Sequence, residues 1–179
     1  LFLCSRKPVV YDLSSEKVTE RIPILKECIT IKQEDFVDQA IQWALGKVGS
    51  TEYRLRCLAF VEDAYEQGNR IEIFGGSNAK ESADMYEAWR NTTTPPKGSF
   101  VFYDCSGLVQ DEVKHWGHVG LCVGNDEVIH AWDKVRVDSY MEIENLKPAP
   151  GWTKPQYIGW VPIERILEGF HKKDWEQYD

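Results

Sequence analysis

The chain has 179 residues, of which 42% are hydrophobic and 28% charged, and 21 basic against 29 acidic side chains leave a net charge of −8. This length suits one domain whose core needs no disulfide or metal staple. The charge balance argues against a nucleic-acid or anionic-membrane binder, which needs basic surface. Seven Trp, eight Tyr and seven Phe are too much aromatic surface for a disordered chain.

No stretch reaches the ~18 consecutive apolar residues of a membrane span. The apolar start Leu1-Phe2-Leu3-Cys4 is too short for a signal peptide. The cysteines are Cys4, Cys28, Cys57, Cys105 and Cys122. An odd count without regular spacing is a poor disulfide framework, so free thiols are expected.

Residues 1–33 read as an N-terminal extension, with Ile22-Pro23-Ile24-Leu25 as a short extended piece. The domain is expected over 34–170 and a charged tail over 171–179, with His171 solvated. From Glu34 the spacing of Val37, Ile41, Ala44, Leu45 and Val48 predicts a helix, closed by Gly46 and Gly49. A loop over Ser50–Tyr53 follows. A second helix starts near Cys57, with Leu58, Val61, Ala64 and Tyr65 on one face, and stops at Gly68-Asn69. Ser77 is the expected N-cap of a third helix carrying Ala79, Ala83, Tyr86 and Trp89. Thr92 to Gly98 must be loop.

The period then changes to two. Phe100–Tyr103, His118–Val123, Glu127–Trp132, Val135–Val137 and Tyr157–Val161 read as strands, and Pro162 opens a last helix. Helices first and antiparallel strands second predict an α+β domain. Taking Gly124-Asn125-Asp126 as a three-residue hairpin loop, Val123 faces Glu127, Gly120 faces His130 and His118 faces Trp132. His118 and His130 then share a face as diagonal neighbours ~7–8 Å apart. Two unrelated histidines on a half-exposed strand would give the same spacing.

A base needs a group to activate. Cys57 opens a helix behind Arg54 and Arg56. There the dipole and free N–H groups favour thiolate and offer an oxyanion hole. A small buried helix residue is the plainer reading of the same cysteine.

In order and approximate spacing, Arg56-Cys57-Leu58-Ala59-Phe60-Val61, Pro96-Lys97-Gly98-Ser99-Phe100-Val101-Phe102, Gly117-His118-Val119-Gly120-Leu121 and Val128-Ile129-His130-Ala131 resemble the NlpC family of papain-like cell-wall cysteine peptidases. The resemblance spans about residues 36–165. It implies helices packed on an antiparallel sheet. It also implies a Cys57 nucleophile, a His118 base, a His130 orienter, and hydrolysis of peptide bonds in peptidoglycan stems. Related CHAP amidases also write Cys-x-x-Phe-Val, but the Ile-His-Ala strand favours the NlpC side. The resemblance argues for a cell-envelope or secreted location, whereas the lack of a visible signal segment and the odd number of free thiols allow the cytoplasm, so the compartment stays open. No cofactor is implied, the partner is a peptidoglycan-derived peptide, and nothing indicates an oligomeric state. A non-catalytic module, or an amidase or acyltransferase with the same triad, are the other readings of this fold.

Asp104-Cys105-Ser106-Gly107 copies the family's nucleophile motif. Chain order favours Cys57, because only Cys57 leaves room for a cleft wall before His118. A zinc cluster of Cys105, His115, His118 and Cys122 is disfavoured, since His118 and Cys122 would stand ~13 Å apart along one strand. Tyr53 and Trp132 are candidate substrate-binding residues. Asp133 is an alternative orienting group, and His115 is expected in an exposed loop.

Overall fold

The computed structural model describes the backbone of residues 21–109 and 111–173, and side chains from residue 33 on. The apolar start Leu1–Cys4, the Cys28 side chain and the end of the charged tail lie outside the described residues. Two units are distinguished, residues 1–33 and residues 34–179. In the first, the described backbone is helical from Arg21.

Helix α1 spans Arg21–Leu45. The extended piece expected at Ile22–Leu25 is therefore helical. Pro23 lies in the first turn, where a backbone N–H has no helical acceptor, so the ring costs no bond there. Val37, Ala40, Ile41 and Ala44 are buried, whereas Leu45, the last residue of the helix, and Val48, beyond its end, are exposed although expected on the same face. Helix α2 spans Cys57–Asn69 and stops as Arg70 turns left-handed. Its buried face is Leu58, Phe60, Val61, Ala64 and Tyr65. A short strand β1, Ile71–Glu72, follows. Helix α3 covers Ala79–Met85. Its N-cap is Asn78 and not Ser77, because the Asn78 side chain accepts the Glu81 N–H at 3.0 Å. Trp89 falls beyond it on a 3-10 turn and is exposed.

The strands are β2 Phe100–Asp104, β3 Ser106–Val109, β4 Glu112–His115, β5 His118–Gly124, β6 Glu127–Ala131, β7 Val135–Ser139, β8 Gln156–Val161 and β9 His171–Lys172. Helix α4, Ile163–Ile166, has Pro162 as its N-cap, one position before the expected N1. The main sheet is antiparallel in the order β7-β6-β5-β2-β8. Helix α2 packs on β5 and β6, and the shared core includes Phe60, Val61, Phe100, Phe102, Val119 and Leu121. This is the papain-like α+β arrangement. Strands β3 and β4 form a separate hairpin, which the sequence pattern did not reveal. Strand β9 pairs with β1, and exposed His171 there holds Glu72 at 2.9 Å.

The β5–β6 turn is tighter than expected. Gly124 pairs with Glu127, leaving Asn125 and Asp126 as a two-residue turn, both at positive φ. A bulge between Cys122 and Gly124 takes up the extra residue. Val123 consequently has no partner at Glu127, but Gly120 still faces His130.

Candidate active site

The turn before α2 places Cys57. Tyr53 is buried, its ring meets Phe60 edge-on, and its hydroxyl donates to Asp63 at 2.8 Å. Leu55 takes a positive φ of 61°, and the Arg56 N–H closes the turn on the Tyr53 carbonyl at 2.9 Å. Arg56, the N-cap residue, makes no side-chain cap, so the first N–H groups of α2 stay available. The backbone N–H groups of Val119, Leu58 and Cys57 itself act on the Cys57 sulfur in the direction that favours thiolate.

His118 and His130 lie on one face of β5 and β6. His118 Nε2 and His130 Nδ1 stand 2.8 Å apart, with the rings edge to face. Gly120 makes this approach possible, since a Cβ there would meet the Val128 side chain and stand 2.9 Å from the His130 Cβ. Strand β7 extends the series. His130 Nε2 lies 3.0 Å from Asp138 Oδ2, and Arg136 grips Asp138 through Nε at 2.5 Å and Nη2 at 2.8 Å. The pattern Val135-Arg136-Val137-Asp138 carries a signal for Asp138, but the sequence predicts the strand only to Val137, whereas β7 runs to Ser139. Asp133 is exposed and pairs with Arg136 at 3.6 Å.

Cys57, His118 and Trp132 line one cavity of about 600 Å³. Trp132 stacks edge-on against His118 with ring centres 5.0 Å apart, and its Nε1 donates to the Lys147 carbonyl at 3.2 Å. Tyr53 does not line this cavity. It lies behind the rim, with the Arg56 guanidinium 5.6 Å over its ring, and Arg56 does line it. Arg54, Arg56 and Lys147 add positive charge to the lining, and Asp133 negative charge.

Cys105 also borders the cavity, but it is 2% exposed and precedes a strand, not a helix. The Asp-Cys-Ser-Gly motif thus opens the β3–β4 hairpin. Gly107 of that motif is covered by the Trp152 ring, leaving no room for a Cβ. His115 is exposed as expected, but on β4, with Nδ1 2.9 Å from Asp104. Among the described residues, no group of three or more His, Cys, Asp or Glu is placed to hold a metal ion, and no helix is long and apolar enough to cross a membrane.

The electrostatics correct one expectation. Burial pushes the Cys57 thiol up to about 11, outweighing the N–H groups that favour thiolate. Burial and the neighbouring His130 hold His118 well below its ordinary value. The resting pair is therefore neutral thiol and neutral imidazole, not thiolate and imidazolium. Burial lifts Cys105 to about 12, with the nearby Cys57 adding to the rise. Burial, with Glu66 and Asp63 nearby, raises Glu62 to about 8.

A search of curated proteins finds no match to the chain. A family model described as the NlpC/P60 family matches residues 43–150, which include the second helix, the three strands of the histidine series and both histidines.

Proposed function

Because the chain belongs to the NlpC/P60 family, whose members are of cell-wall peptidase type, we propose that it is a cysteine peptidase that hydrolyses an amide bond in peptidoglycan stem peptides or related short peptides. Cys57 is the nucleophile, His118 the general base and acid, and His130 the residue that orients His118. The observation that carries this reading is the 2.8 Å contact between His118 Nε2 and His130 Nδ1, on the wall of the cavity that Cys57 also lines. The contact occupies one ring nitrogen of His118 and leaves Nδ1 to take the thiol proton.

Starting from the neutral pair, the proton moves to His118 as the sulfur attacks the carbonyl carbon. The N–H groups at the start of α2 lie beside the sulfur and receive the developing oxyanion. The tetrahedral intermediate collapses to a thioester as His118 returns its proton to the departing amine. Water, deprotonated by the same imidazole, then hydrolyses the thioester. Trp132 walls the acyl site. Tyr53 acts indirectly, by steadying Arg56 at the rim.

The test is digestion of purified muropeptides by wild type and by Cys57→Ala, with products identified by mass. Wild type should release paired amine and carboxylate fragments, and Cys57→Ala should release none. Undigested muropeptides with wild type would favour a non-catalytic module on this fold. Cleavage at the sugar–peptide amide would favour an amidase.

A further inference from the structure

The relay does not end at His130. Arg136 sits directly opposite His130 in the β6–β7 register, and Asp138 sits opposite Val128. Both side chains share the face that carries His130, because alternate residues of a strand point the same way. We propose, resting on the peptidase reading, that Asp138 is a positioning residue that sets the tautomers of both histidines, and that Arg136 holds it in place.

The argument follows the hydrogens. Asp138 Oδ2 can only accept, so the His130 Nε2 at 3.0 Å must carry the hydrogen. A neutral His130 then has a bare Nδ1. The His118 Nε2 at 2.8 Å from that nitrogen must be the donor, which leaves the His118 Nδ1 bare. A bare Nδ1 is what a base toward Cys57 requires. The opposite tautomer would put a hydrogen on Nδ1 and abolish the base.

Arg136 makes the arrangement one-way. Its Nε and Nη2 donate to the two carboxylate oxygens of Asp138, so the carboxylate cannot turn or take a proton cheaply. Burial alone would raise Asp138, but hydrogen bonds from His130 and Arg136 prevail and bring it down to about 2. The other charged groups near this pair are few. Asp133 reaches Arg136 at 3.6 Å from the turn after β6, and the neutral His118 meets His130 from β5. Asp138 is absent from the cavity lining, so it acts through His130 and not on the substrate.

The experiment pairs ring nitrogen-15 NMR with kinetics. In wild type at pH 7.5 (a pH of about 7–8 keeps ordinary histidines neutral), both His118 and His130 should be Nε2–H tautomers. Asp138→Leu should mix the tautomers and lower kcat roughly 10- to 100-fold, short of the ~10⁴ seen when a directly orienting carboxylate is lost. KM should hold within about twofold, because a residue off the cleft contributes no substrate binding. Arg136→Gln, which spares Asp138, should give a smaller fall in kcat. The wild-type spectrum decides the matter even if a variant fails to fold. An Nδ1–H tautomer at either histidine overturns the proposal, as does unchanged kcat in folded Asp138→Leu. Cys57→Ala run beside them separates the two ideas. An inactive wild type removes the peptidase reading itself and full activity in Cys57→Ala removes Cys57 as the nucleophile, whereas an inactive Cys57→Ala beside a fully active Asp138→Leu removes only the role of Asp138.

Discussion

Gly120 and His130 face each other across β5 and β6, and a side chain on Gly120 would begin 2.9 Å from the His130 Cβ. The missing Cβ is therefore what lets two imidazoles lie within hydrogen-bond distance on a closed sheet face. Gly120→Ala should displace His130 and crowd Val128. Overpacking of this kind costs ~1–3 kcal/mol. Urea unfolding should show that loss, and turnover should fall by more than stability alone accounts for. A variant as stable and active as wild type would mean that the histidine pair tolerates displacement.

Leu55 lies two residues before Cys57 at a positive φ, with 63% of its surface exposed and its side chain on the cavity rim. A left-handed conformation costs a residue with a Cβ ~1–2 kcal/mol. An exposed leucine held there suits contact with substrate better than contact with core. Leu55→Gly should keep or raise stability while raising KM severalfold. Unchanged KM would reduce Leu55 to a strained turn residue.

Stability should peak between two opposing titrations. His118 and His130 are held below their ordinary values, chiefly by burial, so the unfolded chain binds more protons below about pH 6.5 and acid destabilises the fold. Each histidine contributes a slope of up to ~1.4 kcal/mol per pH unit in that window. Glu62 works in the other direction. Its raised value means that the folded state holds a proton which the unfolded chain releases above its ordinary value of 4.5, so stability drains as pH rises from there to about 8. Glu62→Gln should match wild type near pH 4 (~4.3 is the ordinary carboxyl midpoint) and exceed it in alkali. Urea midpoints across the pH range check both limbs, and parallel curves for the two proteins would contradict the Glu62 assignment.

How far the sequence reached differs by element. Helix α2 was legible, expected to start near Cys57 and found from Cys57 to Asn69, because its apolar period, the loop before it and Gly68-Asn69 after it agree. The register bringing Gly120 opposite His130 was also legible, although the turn is one residue shorter than the spacing predicts. A two-residue turn with a bulge at Val123 and a three-residue loop give the same pairing beyond Cys122. The β3–β4 hairpin was hidden for two reasons. Glu112, Val113 and Lys114 on β4 show no buried face, and Asp104 to Gly107 imitates a nucleophile motif. Asp138 was missed because β7 is a sheet edge with half-exposed residues, where alternation of Arg and Asp reads as solvated surface. The ionisation of Cys57 was not legible. Helix position and nearby arginines argue for thiolate, and only the packing around the sulfur shows that burial prevails.

The central claim is that Cys57, and not the motif-bearing Cys105, makes the bond to substrate. It is tested most directly by a stem-peptide chloromethyl ketone, followed by peptide mapping and residual-activity measurement. Binding in the cleft delivers the electrophile to the nucleophile even though Cys57 rests as a thiol. One label per chain is expected, on the peptide carrying Cys57, with activity falling in proportion and labelling slowed at least tenfold in His118→Ala. Labelling of Cys105 in step with inactivation, or full hydrolytic activity in a protein labelled at Cys57, would contradict the assignment.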